Sequence, residues 1–112
     1  MRGMNYPKNS LILTEEKFAT TIEKYPLVVI MCLPTMELTF GNPLPVINAM
    51  AKKYEGKVVF GVLNIEENKR IASRYDITKT PVVLIFKNKR LIGYMKNNVT
   101  RKDIEDRIEP YL

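Results

Sequence analysis

Cys32 is the chain's one cysteine and opens the run Cys32-Leu33-Pro34-Thr35, the outline of a C-x-x-C redox pair with threonine in place of the second thiol. A thiol pair can cycle between dithiol and disulfide. A lone thiol can form a mixed disulfide but cannot release its partner, so glutathione or another external thiol would have to finish the cycle. The competing reading of Cys32 is a small hydrophobe at the end of a buried strand. With one cysteine, an internal disulfide and a thiolate zinc site are both excluded. Histidine is absent, which removes the usual general base at neutral pH, the usual metal ligand and every Cys-His or Ser-His-Asp arrangement. No metal and no cofactor is expected.

Local sequence bears on whether Cys32 could be activated. Thiols become reactive at helix N-termini, beside cations or in C-x-x-C pairs. Asn42-Pro43 reads as the next helix start, a cap residue followed by proline at the first helical position. That start lies too far along the chain for its dipole to act on Cys32. Gly41, Pro43 and Pro45 work against a helix running on from position 33, which leaves room for a short turn over 36–40.

These residues are positioned by elements that the pattern of apolar residues marks out. The chain has 112 residues, 46% of them apolar and 27% charged, which suits one domain over 1–112 with a flexible tail over 1–9. Leu11-Ile12-Leu13 is a short apolar run. Thr14 caps a helix over 15–24, with Glu15 and Glu16 in its first turn, Phe18 and Ile22 on one face and Pro26 beyond its end. Leu27 to Leu33 is continuous and rich in β-branched residues, the pattern of a strand buried on both faces. Val46, Ile47, Met50, Ala51 and Tyr54 form a helical stripe that Gly56 ends. Lys57–Ile65 reads as a second buried strand, and Ile71, Ala72 and Tyr75 put one face on a short helix over 67–75. Val82–Phe86, the turn Lys87-Asn88-Lys89 and Arg90–Lys96 make a hairpin. Thr100 caps a last helix with Asp103 at its third position and Ile104, Ile108 and Leu112 on one face. The order is β-α-β-α-β-α-β-β-α, an α/β domain with helices on both faces of a mixed sheet.

The net charge is +6, from 18 Lys and Arg against 12 Asp and Glu. The cations are scattered (Lys52-Lys53, Lys69-Arg70, Lys87 to Arg90, Arg101-Lys102) and no aromatic residues interleave with them as stacking platforms would. A solvated basic surface is expected, and no nucleic acid. The longest apolar run, Leu27–Leu33, is far short of the ~18–20 residues that cross a bilayer. MRGMNYPKNS lacks the apolar stretch of an export signal. We expect no membrane association and a cytoplasmic setting.

Three segments carry a family resemblance. "LILTEEKFATTIEKYPLVVI" resembles the thioredoxin opening, with its T-E-x-x-F helix start and proline-led central strand. "AKKYEGKVVFGVLNIEEN" is similar to the family's A-x-x-Y…L-N-x-D-x-N segment, and "IASRYDITKTPVVLIFKNKRLIG" to its A-x-x-Y-x-I-x-x-x-P-T block. The resemblance covers about residues 10 to 111 and implies the thioredoxin fold. It also implies that the Thr80-Pro81 bond is cis and lies beside the redox site, where the Thr80 backbone would offer a strand-like edge to an extended peptide. A rigid turn into the next strand is the plainer role for Thr80 and Pro81.

At the redox site the sequence departs from the family. Placing C-L-P-T on W-C-G-P-C needs a five-residue insertion after Thr35 and shortens the central strand. Placing "VVIMCLPTMELT" on V-V-D-F-W-A-P-W-C-G-P-C needs one inserted residue. The second placement, which we prefer, puts Met36, Glu37, Leu38 and Thr39 at the redox motif and Cys32 at an aromatic position closing the strand. It also puts Ile30 at the family's buried Asp, and Val62 stands at its buried Lys under either placement, so the proton relay that serves a buried thiol is missing. Met31, Met36, Leu38 and Phe40 are either core and loop packing or an apolar contact surface near Thr80-Pro81.

Two functions follow from the resemblance. One is a thioredoxin-like module without a redox dithiol that binds a protein or peptide beside Thr80-Pro81. The alternative is a single-cysteine thiol-disulfide oxidoreductase in redox homeostasis, acting through Cys32.

Overall fold

The computed structural model describes residues 5–35 and 43–112. Apolar continuity sets the sheet. The strands are β1 (Leu11–Leu13), β2 (Leu27–Leu33), β3 (Val59–Asn64), β4 (Val82–Lys87) and β5 (Arg90–Lys96), in the spatial order β1-β3-β2-β4-β5. β1, β3 and β2 run parallel, while β4 pairs antiparallel with β2 and β5 antiparallel with β4. The β-branched run of β2 is therefore central and covered on both faces, as its lack of alternation implied.

Among the described residues, four helices do the covering: α1 (Glu15–Lys24), α2 (Leu44–Lys53), α3 (Lys69–Arg74) and α4 (Arg101–Ile108). Phe18 and Ile22 of α1 and Ile71 of α3 pack with Val28, Ile30, Cys32, Leu63 and Leu84 on one face. Ile47, Met50 and Ala51 of α2 and Ile104 and Ile108 of α4 pack with Leu27, Val29, Leu33, Phe60 and Ile85 on the other. Gly61 lets β1 lie close to β3, since a Cβ there would stand 2.6 Å from Leu13 Cδ1.

The helix starts follow local chemistry. The Thr14 side chain accepts a hydrogen bond from the Lys17 N–H, and Thr100 forms a reciprocal capping box with Asp103. The Asn88-Lys89 turn has positive φ at both residues, 48° and 72°, the geometry that matches the twist of a two-residue hairpin.

Several expectations shift in detail. The second long strand is trimmed to Val59–Asn64, and the short helix to Lys69–Arg74. Val46 is 48% exposed rather than part of the buried stripe. Leu112 is equally exposed, because Pro110 cannot continue the α4 hydrogen bonds and a 3-10 turn over Glu109–Tyr111 carries the chain off the helical face. At the other end, Tyr6 packs its ring on Tyr25, whose hydroxyl donates to the Asn5 carbonyl at 3.1 Å. Met36, Glu37, Leu38 and Thr39, like Phe40, Gly41 and Asn42, lie outside the described residues.

Candidate functional site

The end of β2 and the entry to β4 meet at one end of the sheet, in its interior. Register sets Cys32 between Leu63 of β3 and Val82 of β4. Cys32 thus lies inside a full-length strand with Leu33 after it, not on the loop beyond. Its side chain is fully buried among Ile30, Leu63, Ile77, Val82 and Leu84. Burial pushes the thiol pKa from 9.0 up to about 12, so at neutral pH it is the protonated, non-nucleophilic form.

Among the described residues, no buried carboxylate or ammonium accompanies it. Ile30 and Val62, where the resemblance places an Asp and a Lys, are both buried and belong to the apolar clusters on opposite faces of the sheet. Among the described residues, no group of three or more His, Cys, Asp and Glu could hold a metal ion.

A polar network fixes the chain just past β2. The Thr35 N–H donates to Glu66 Oε1 at 2.8 Å, and Asn64 Nδ2 donates to Thr35 Oγ1 at 2.9 Å. Asn64 Oδ1 in turn accepts from the Glu66 N–H, and Asn68 Nδ2 donates to the Asn64 carbonyl. The hydrogen bonds from the Thr35 N–H and hydroxyl hold the Glu66 carboxyl below its ordinary pKa. Asn64, Glu66 and Asn68 are three of the four polar positions of "LNIEEN". Sequence reading used them only as a family signature, and their spacing was the signal that they act together.

The Thr80–Pro81 bond is cis, as the resemblance implied. Both residues are half-buried and lead directly into Val82, the partner of Cys32. Among the described residues, the Thr80 N–H and C=O have no hydrogen-bond partner. An unpaired N–H and C=O on one residue is what an added extended segment would use.

Beside this edge lies a cleft of about 280 Å³ lined by Asp76, Thr78, Lys79, Val82, Tyr94, Lys96 and Asn97. Tyr94 spans part of its lining, its hydroxyl donating to the Asp76 carbonyl at 3.2 Å. Burial raises the phenol pKa above its ordinary value, with smaller upward pushes from Asp76 and Cys32. Asn97 and Asn98 turn the chain after β5 with φ of 67° and 56°, a region asparagine tolerates well. Sequence reading did not single out these cleft residues, because nothing in their local pattern brings 76–79 to 94–97.

The thioredoxin family model matches residues 9–110. The chain belongs to the thioredoxin family. Curated thioredoxins show the same kinship. The thioredoxin of Chlorobaculum thiosulfatiphilum is 37% identical over 68 residues, 57% of this chain and 63% of that protein. The chloroplastic M-type thioredoxin of Spinacia oleracea is 40% identical over 68 residues, 61% of this chain and 38% of that one. The matched stretch thus spans less than two thirds of either relative. In fold, a variant thioredoxin from Halobacterium salinarum superposes with a TM-score of 0.84 at 16% identity, covering 97% of this chain and 96% of the other. Plasmodium falciparum thioredoxin gives 0.78 at 19%, covering 91% and 99%. Within this thioredoxin fold the site edge keeps the Thr80–Pro81 backbone, and the chain's one thiol is enclosed in the core.

Proposed function

We propose that this thioredoxin-family domain is a binding module without dithiol chemistry, and that it docks an extended protein segment against the Thr80–Pro81 edge. The observation that carries the reading is the Thr80 backbone, unpaired among the described residues and leading into the strand that flanks Cys32. Burial of Cys32 supports it from the other side, since a thiol with its pKa raised to about 12 offers almost no thiolate at neutral pH. Met36 and Thr39, at the positions we assign to the two redox cysteines, carry no thiol. A domain of this kind suits a reducing, cytoplasmic setting, because nothing in it depends on an oxidised cysteine. The alternative, mixed-disulfide chemistry at Cys32 within redox homeostasis, draws on the presence of one thiol near the site edge. It requires that thiol to leave its apolar surroundings before it can react.

Amide chemical-shift mapping with a thiol-free extended peptide tests the reading. Shifts should gather at residues 78–82 and 33–35 and persist in Cys32→Ala. Shifts that vanish in Cys32→Ala, or that never involve Thr80, contradict it.

A further inference from the structure

The charge and size of the cleft beside Thr80 say what the docked segment should look like. Lys79 and Lys96 line it from two directions, one from the loop before β4 and one from the end of β5. Neither makes an ion pair among the described residues. The three ion pairs among the described residues, Lys53–Glu105, Arg101–Glu105 and Lys102–Asp106, all join or lie within α2 and α4. Asp76 is the single carboxylate lining the cleft, against two ammonium groups. The Thr78 hydroxyl and the Asn97 amide add donors to the same wall. At about 280 Å³ the space is small for a cofactor, since ligand pockets run ~300–1,000 Å³, but ample for one side chain.

The geometry points to an acidic, extended segment as the partner: its backbone pairs with Thr80 while a neighbouring Asp or Glu carboxylate enters the cleft between Lys79 and Lys96. This rests on the docking reading given above and adds the chemistry of the occupant. A strand alternates its side chains, so a segment held by backbone at Thr80 sends one side chain toward Val82 and Tyr94 and the next away. One acidic side chain fills the cleft, and acidic residues at every second position let more than one register supply it. The overall charge of +6 steers such a segment toward the domain, and the two lysines select it at contact.

Three capped octapeptides test this, of repeating Thr-Glu, Thr-Gln and Thr-Lys, titrated while amide shifts are followed. Threonine keeps all three extended, so charge is the variable. Thr-Glu should shift residues 78–82 and 96–97 and bind about tenfold tighter than Thr-Gln at about 0.05 M salt, with the gap closing near 0.5 M as screening rises. Lys79→Glu combined with Lys96→Glu should remove that preference and leave the Thr-Gln response in place. Both lysines are exposed, so the double variant should fold as the parent does. Equal affinity for Thr-Glu and Thr-Gln at Thr80 would leave docking intact and overturn the acidic preference. No shift at Thr80 with any of the three would overturn both.

Discussion

At the scale of single residues, the decisive fact is where Cys32 sits. Its identity and the lack of any histidine are plain in the sequence, but its burial is not. Enclosure depends on β3 and β4 flanking it and on α1 and α3 covering that face of the sheet, all long-range consequences of the fold. With no charged group offsetting the loss of water, the thiol behaves as a small apolar side chain. Cys32→Ala should then cost about 1 kcal/mol, the scale of a small cavity. Cys32→Ser should cost more, about 1–3 kcal/mol, because it places a hydroxyl where no acceptor waits. Denaturant unfolding of both variants checks the order. A serine variant as stable as the parent would mean that the site is wetter or more polar than the apolar cluster around it implies.

At the scale of elements, most of what the sequence announces is local chemistry. Thr14 and the Thr100–Asp103 box cap their helices as read, and Asn88-Lys89 turns the hairpin. What goes astray needs knowledge of neighbours. Val46 falls off the buried face of α2, and Leu112 leaves the α4 face once Pro110 breaks the ladder. The tie between α2 and α4 was invisible too. Glu105 Oε2 accepts from Lys53 Nζ at 2.7 Å and from the Tyr54 hydroxyl, and Oε1 accepts from Arg101 Nε at 3.0 Å. The hydrogen bond from Lys53, then that from Tyr54, lower the Glu105 pKa from 4.5 to about 2. A carboxyl whose pKa is depressed on folding adds stability above its unfolded pKa and loses it as pH falls to the folded one. Between about pH 4.5 and pH 2 the parent should therefore lose more melting temperature than Glu105→Gln, which has no such charge to lose. Thermal melts across that window decide it, and parallel acid branches would place the α2–α4 tie elsewhere. Glu66 and Asp103, also lowered, are common to both proteins and cancel in the comparison.

At the scale of the molecule, the parallel β2–β3 pair and the antiparallel β4 bring the end of one strand and the start of another to the same end of the sheet. That is why Cys32 and Thr80–Pro81, far apart in sequence, share a neighbourhood. The family segments made this architecture legible in advance, including the cis bond. The cleft beside it was not legible, because Lys79, Tyr94 and Lys96 meet only once the hairpin is folded. The open sides of the sheet are guarded by ordinary means: β1 has three residues, and β5 begins with Arg90 and ends with Lys96, charges that discourage strand-on-strand pairing. The fold is thus that of the thioredoxin family, with the one thiol enclosed in the core and, among the described residues, no backbone partner for Thr80. The most direct test is the rate at which a thiol reagent labels Cys32 from about pH 5 to about pH 9, folded and in denaturant. The structure predicts labelling only after unfolding. Fast labelling of the folded protein, with an apparent pKa well below ~8.5, would show a working monothiol and contradict the account.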